Sequence, residues 1–499
     1  MKKDVYNLTK PQMSIYLAEK FSNDATNNIM GSVYFKSDVD IETLKKAIFL
    51  TIKNSQALRT CIFEEEGVPK QFFSDSVPSD ITVKDFSQKT MNDFKIFQTE
   101  FVQELFTILN SELCKFVICI LPTKKVVLFG KFHHIIVDAW SSALVLDTIM
   151  KNYEKLLNHQ VDFETAGLYT DFIDREQKYL SSDTYVKNKK FWNSELKNVQ
   201  PVSIKISPST SNNANRVEFI LSLEETNLIN DFCKQNRISA YALFLSAINI
   251  YLYRTNSSQF SIQTPILNRL GKEKNIIGMF INMISIPNNI DNNYTIMEYL
   301  KKVSLDSVKY FKNSKYPYID LLNDLRRNSS SVTSRNIVYS FQNMRPDSNL
   351  KNTLDYHVDW TFPGSIQDEL VINITDVDNS GTYHISYDYL IDLFSIKEID
   401  FMHERIKRIL LNIIENPNQK IVDIDFIPES EKNLLLNNFN DTFFEYDSSK
   451  TLVDLFEETV QHSPEKVALI YNGKEFTYQE LNNMASLIAT SLTSKNISN

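Results

Sequence analysis

Glycine is scarce in this chain, with nine residues among 499. No GxGxxG and no GxxxxGK followed by Ser or Thr occurs, so a glycine-rich phosphate cradle is not encoded and nucleotide chemistry on the chain is not expected. Cysteine is scarcer still. Cys61, Cys114, Cys119 and Cys233 form no CxxC pair, which removes a zinc framework and a disulfide scaffold and suits a reducing compartment. The most apolar stretch, Ala240 to Tyr253, falls short of the ~20 residues a membrane span needs and reads as a buried core helix. The first residues carry charge but lead into Leu8-Thr9-Lys10-Pro11 rather than an apolar signal core, so a cytoplasmic location is expected. Acidic residues outnumber basic ones by 62 to 53, and no basic run is dense enough to follow a phosphate backbone. Nucleic acid is not an expected partner.

What is present describes a globular, multi-domain chain: 42% hydrophobic and 23% charged residues supply material for sizeable cores. Asp40 followed by Ile41, Leu44, Ile48 and Ile52 predicts a capped helix over 41–56. Cys114–Leu121 and Val126–His133, joined by Pro122-Thr123-Lys124-Lys125, predict an antiparallel hairpin, and a helix should run from Trp140 to about Leu157. A polar stretch over 207–215 precedes further alternation: strands at 217–223, 260–266 and 384–387, helices at 224–235, 240–253 and 396–414. Two α/β lobes follow from this alternation, over 1–175 and 176–430. A polar linker is expected at 431–450 and a different unit at 451–499, where a helix, a strand, an Asn472-Gly473 turn and a Thr477–Glu480 capping box occur in order. Some 50 residues are too few for that unit to hold a core alone.

The most unusual segment is Phe132-His133-His134-Ile135-Ile136-Val137-Asp138-Ala139-Trp140-Ser141, which contains two of only seven histidines. On an extended strand, neighbouring side chains face opposite ways, so one histidine can enter a pocket while the other packs inward. Imidazole titrates near ~6.5, close enough to an α-amino group near ~7.7 to 8.0 to share its proton during amide formation. Asp138 reads equally well as an N-cap for the following helix. The spacing offers no metal site, because the histidines and Asp138 lack further ligands, and none is expected.

The histidine pair and Asp138 resemble the H-H-x-x-x-D-G hallmark of condensation domains of nonribosomal peptide synthetases, relatives of chloramphenicol acetyltransferase. The resemblance extends over about residues 6–430. Leu8-Thr-Lys-Pro-Gln12-Met-Ser-Ile-Tyr16 is similar to the family's opening motif. Ala57-Leu-Arg-Thr60 with Phe63, Tyr169-Thr-Asp171-Phe172, Pro265-Ile-Leu-Asn268-Arg269 and Ile277-Gly278-Met279-Phe280-Ile281-Asn282 match later motifs in order. Thr451–Asn499, with Phe476-Thr-Tyr-Gln-Glu-Leu481, resembles the beginning of an adenylation domain.

The resemblance implies an α/β fold of two acetyltransferase-like lobes forming a V-shaped pseudo-dimer, with a channel reaching the active site from both sides. It gives His134 the catalytic or substrate-positioning role, His133 a supporting one, and Asp138 a scaffold role through a salt bridge to Arg269. Ala139, Trp140 and Ser141 would support the site, and Asn282, Tyr316 and Tyr318 are candidates for lining the channel. Ala139 replaces the family glycine; it is harmless if the position merely starts a helix and obstructive if that glycine serves an unusual backbone angle or a close approach to substrate. No bound cofactor is expected. Substrates would arrive on the phosphopantetheine of peptidyl carrier domains or as acyl-CoA, with an adjacent adenylation domain as a further partner. No carrier precedes Leu8, so the donor is expected from another polypeptide or as a free thioester. Ser314–Arg326 and Asp388–Phe394 resemble the starter subtype, which attaches a fatty acyl group to the first amino acid. Elongation with a peptidyl donor delivered in trans and a non-catalytic docking remnant stand beside it.

Overall fold

The computed structural model describes residues 4–497 apart from 21, 23, 78–80, 164–166, 198, 202–203, 206–208, 210, 257–259, 329–335, 343–354, 376–380 and 496. The chain divides into two compact units, 1–427 and 428–499.

In the first unit the hairpin forms as the alternation predicts. Cys114–Ile120 pairs antiparallel with Val126–His133, and Lys124 turns the chain with φ of 62°. Val126–His133 is buried at every position, because it lies inside a five-stranded sheet ordered Tyr356–Thr361, Asn28–Phe35, Val126–His133, Cys114–Ile120, Thr82–Asp85. Its pleat separates two cores. Val126, Leu128 and Phe132 pack with Leu44, Ile48, Val145 and Ile149 of the helices Ile41–Asn54 and Ala139–Leu157. Val127 and Phe129 pack with Phe94, Phe101 and Val102 of the helix Met91–Gln103.

The sheet's edge strand Tyr356–Thr361 pairs with Asn28–Phe35 in continuous antiparallel register, although its position falls within the span 176–430 expected for the second lobe. Division of the first unit at residue 175 is therefore breached by a strand crossing back. Sheet pairing is non-local, and the half-exposed pattern of this short strand carries no local mark of its partner.

The second lobe is built on a sheet ordered Asn282–Pro287, Phe260–Ile266, Ile337–Gln342, Leu370–Thr375, His384–Leu390, Ala214–Ile220, with Gln200–Pro201 beside Phe260–Ile266. The helix Ala240–Asn256 is buried along Ala242–Leu252, which explains a sequence that is apolar on every side. Direct ties join the lobes: Lys10 Nζ pairs with Asp320 at 2.7 Å, and the buried Glu176 carboxylate accepts the Lys10 N–H at 2.9 Å.

The second unit begins earlier than the composition suggests. Glu429–Asn433 is helical and continues into a turn of π-helix over Leu434–Asn438, in the segment read as linker. Glu, Lys and Leu are good helix formers, so polarity there marked a solvated helix. Beyond it come the helix Leu452–His462, the hairpin Val467–Tyr471 and Lys474–Thr477, and the helix Tyr478–Ser494 capped by Thr477. Among its described residues Val460 is the one buried apolar side chain, while Leu452, Val453, Leu487 and Ile488 are exposed. Among all described residues, no helix is long and apolar enough to cross a membrane.

Candidate active site

The strand Val126–His133 ends at its last residue, and His134-Ile135-Ile136 forms a turn. The two histidines part company, His133 being buried and His134 half-buried, but the turn separates them rather than the strand pleat. Three backbone N–H groups shape the turn: His134 N–H donates to the Asn27 carbonyl at 2.7 Å, Ile136 N–H to the His133 carbonyl at 3.1 Å, and Ile135 N–H to His133 Nδ1 at 3.1 Å. Buried Gln12 reaches in from the first helix and donates to the Ile135 carbonyl at 3.3 Å. Its own carbonyl oxygen accepts the Thr9 N–H at 3.0 Å. Sequence alone shows the capping half of Gln12 and hides the half that props the turn.

Asp138 combines the two roles between which the sequence leaves a choice. It caps the helix Ala139–Leu157, accepting the Ser141 N–H at 2.7 Å. It also accepts two bonds from Arg269 Nη2, at 2.9 and 3.0 Å, and the Phe280 N–H at 3.0 Å. Both charged side chains are fully buried. Arg269 Nη1 donates to the carbonyls of Glu273, at 2.9 Å, and Ile276, and the guanidinium lies 3.8 Å from the centroid of the Phe280 ring. Ser141 completes the clamp: its hydroxyl donates to the Gly278 carbonyl at 2.7 Å, accepts the Gly278 N–H at 2.9 Å and accepts from Arg269. Trp140 adds a bond across the lobes, Nε1–H to the Lys274 carbonyl at 2.8 Å. The helix that follows the histidines is thus bolted to the loop over residues 269–280.

Gly278 sits where that loop meets Tyr169. A Cβ there would lie 2.2 and 2.3 Å from two Tyr169 ring carbons, and the ring cannot yield. It is buried between Phe172 and Phe280, and its hydroxyl donates to the Met279 carbonyl at 2.7 Å. Gly278→Ala is expected to destabilise the protein by about 1 to 3 kcal/mol through overpacking, with Tyr169→Leu partly restoring it. Equal chemical-unfolding midpoints for wild type and Gly278→Ala would contradict this.

Ala139 is exposed at the first position of its helix and is not among the residues with positive φ. The unusual-angle reading of this position therefore fails. Ala139→Gly is expected to cost at most about 1 kcal/mol, seen as a small drop in melting temperature, and to leave turnover unchanged.

His134 remains the group with free chemistry. Its Nδ1 is buried and lacks a hydrogen bond of ordinary geometry. Burial lowers its pKa below the usual histidine value, against the pull of the Asp138 carboxylate and the nearby His134 and Val137 backbone groups. At neutral pH the ring is therefore uncharged and able to accept a proton.

The channel candidates Asn282, Tyr316 and Tyr318 are tied to one another. Asn282 donates to the Ser314 and Tyr316 carbonyls at 2.8 and 2.7 Å and accepts the Tyr318 N–H at 3.0 Å. The buried Tyr316 hydroxyl donates to Asp324 at 2.6 Å. Both residues pack the loop 314–318 against the second-lobe sheet, and Tyr318, half-buried, meets the Gln263 amide. Among the described residues, no group of three or more His, Cys, Asp or Glu side chains is arranged to hold a metal ion.

Comparison with known proteins places this geometry. A family model described as a condensation domain matches residues 2–436. A plipastatin synthase polypeptide of Bacillus subtilis (strain 168) is 27% identical over an alignment covering 100% of this chain and 20% of that protein. Surfactin synthase subunit 1 of the same organism is also 27% identical, over 99% of this chain and 14% of that protein. The chain thus spans a fifth or less of the length of these relatives. Among solved structures, a four-domain nonribosomal peptide synthetase bound to AMP and glycine superposes with a TM-score of 0.80 at 17% identity, over 99% of this chain and 39% of the other. A mutant starter condensation domain of rhizomide synthetase, in complex with C8-CoA and Leu-SNAC, gives 0.74 at 16% identity, over 85% of this chain and 98% of the other. The mixed α/β fold with two acetyltransferase-like lobes is that of condensation-domain structures.

Proposed function

The chain belongs to the condensation-domain family, whose members form amide bonds in nonribosomal peptide synthesis, and we propose that it joins an acyl thioester to the amine of an aminoacyl thioester held on a carrier domain. The observation that carries this reading is the half-buried His134 ring, whose Nδ1 has no hydrogen bond of ordinary geometry, on the turn leading into the helix that Asp138 and Arg269 clamp to the loop 269–280. The amine nitrogen attacks the thioester carbonyl, the C–N bond forms and the C–S bond breaks. His134 accepts or shares the proton the amine loses, and that proton ends on the departing thiol. Asp138, Arg269 and Ser141 stay outside the proton path and keep the turn in place. Both substrates come as thioesters of phosphopantetheine or CoA, and the protein itself needs no further cofactor.

A fatty acyl donor in a chain-initiating step is the preferred substrate class. It is supported by the similarity of Ser314–Arg326 and Asp388–Phe394 to the starter subtype. The segment 451–499 is read as the start of an adenylation domain, supported by the resemblance of Phe476-Thr-Tyr-Gln-Glu-Leu481 to that domain's first core motif and by alignments to synthetases that run beyond residue 436.

Incubation of the protein with an aminoacyl-loaded carrier and either acyl-CoA or a peptidyl-loaded carrier, followed by product mass, tests the reading. An N-acylated aminoacyl carrier from acyl-CoA alone supports initiation. Product from the peptidyl carrier alone would move the assignment to elongation, and no product from either donor to a docking platform.

A further inference from the structure

His133 is buried, and each of its ring nitrogens faces a defined group. Nδ1 accepts the Ile135 N–H, so the ring proton of the neutral side chain belongs on Nε2. That Nε2 is buried without a hydrogen bond of ordinary length and lies 3.6 Å from Glu19 Oε2. Phe106 meets the ring edge-on, with centroids 6.0 Å apart.

Glu19 is the last residue of the helix Lys10–Glu19, where a carboxylate opposes the helix dipole. Helix stability therefore does not explain it. The same carboxylate oxygen accepts the Asn27 side-chain amide, and the Asn27 carbonyl receives the His134 N–H. Glu19 thus reaches both histidines, one through its ring and the other through its backbone. Lys131, two residues before His133 on the same face of the strand, does not compete for it: its ammonium binds the Glu104 backbone carbonyl at 2.8 Å and the Glu104 carboxylate at 3.2 Å.

We propose that Glu19 is a positioning residue of this site: its carboxylate holds the His133 ring by its Nε2–H and, through Asn27, fixes the backbone of His134, so that the His134 ring is presented in one orientation. The inference rests on the assignment of His134 to the amine. It explains the pair of adjacent histidines as a division between an anchor and a working group, with the anchor's tautomer set by the Ile135 N–H and its Nε2–H held from outside the motif.

The test compares the full chain with its Glu19→Gln and Glu19→Leu variants. Each is labelled with ring-15N histidine, with His133 assigned by its loss in His133→Gln, and kcat and KM are measured with the aminoacyl carrier and the preferred donor. The expected wild-type spectrum shows His133 protonated on Nε2. Glu19→Gln, which keeps an acceptor, should retain that tautomer and a kcat within about threefold of wild type. Glu19→Leu should keep the tautomer that the Ile135 N–H imposes, shift the His133 Nε2 resonance as its N–H loses the carboxylate, and lower kcat by about tenfold to 100-fold at unchanged KM, the scale expected when a reacting group is misplaced. A wild-type His133 protonated on Nδ1, or a Glu19→Leu variant with unaltered His133 Nε2 resonance and kcat, would overturn the proposal. Should Glu19→Leu not fold, Glu19→Ala and the wild-type tautomer decide by the same criteria. If the wild type forms no amide with either donor, the functional reading fails, while the His133 spectra still decide the role of Glu19.

Discussion

Arg269→Ala should destabilise the protein by about 3 to 5 kcal/mol, the usual consequence of leaving one member of a buried ion pair without the other. The geometry says why the upper part of that range applies. Removal of the guanidinium strips Asp138 of two charge-assisted bonds and leaves the buried carbonyls of Glu273 and Ile276 without the donor they share. Asp138→Asn should cost less. Its side-chain oxygen still caps Ser141, but an amide N–H now faces the Phe280 N–H and Arg269, where the carboxylate accepted. The double variant should be less destabilised than the sum of the two by about 0.5 to 3 kcal/mol, because both single changes break the same bonds. Denaturant unfolding of the four proteins measures this cycle. Simple additivity would mean that the pair does not interact and that Asp138 serves only as a helix cap. A pair so deeply buried adds little net stability over a well-packed apolar replacement. Its contribution is to hold the helix Ala139–Leu157 and the loop 269–280 in one register.

The largest effect on activity is expected at His134. His134→Ala should lower the rate of amide formation by about 10² to 10⁴, the range of a lost general acid or base, with little change in unfolding midpoint, since the ring's Nδ1 makes no hydrogen bond of ordinary geometry that the fold would lose. His133→Ala should show the opposite balance and lose stability first, because it removes a buried ring that accepts the Ile135 N–H. The rate should also carry the mark of the lowered His134 pKa. Burial favours the neutral ring, so the loss of activity on acidification that reports His134 should lie below the pH at which an ordinary histidine is half protonated. Wild-type turnover in the His134→Ala protein would remove the residue from the mechanism altogether.

How far these features could be read from the amino-acid sequence depends on the range of the interaction that creates them. Asp40 before an apolar period, four turn residues between two β-rich runs, and Thr477 with Glu480 are local signals, and each produced its element within a few residues. The buried helix Ala240–Asn256 was equally legible, because an uninterrupted apolar surface leaves a helix nowhere to go but inside. Asp138 and Arg269, 131 residues apart, came together only through the family resemblance; nothing in either neighbourhood names the other. Glu19 and Gly278 were missed as site residues for the same reason. Glu19 looks like a solvated helix end until the turn at His133 folds over it, and the need for glycine at 278 comes from a tyrosine more than a hundred positions earlier.

The returning strand Tyr356–Thr361 has a consequence for how this protein is made. Synthesis is vectorial, at roughly 5 to 20 residues per second, so after residue 175 emerges the ribosome must add 186 more before residue 361 appears, a wait of about 10 to 40 s. Throughout that interval the strand Asn28–Phe35 has its Val126–His133 partner on one side and an open row of backbone donors and acceptors on the other, a template for pairing with another nascent chain. The first lobe is therefore a late-finishing body despite being early in the sequence. A fragment ending at residue 175 should aggregate when expressed alone, and should become soluble when a peptide spanning residues 355–362 is supplied to close the edge.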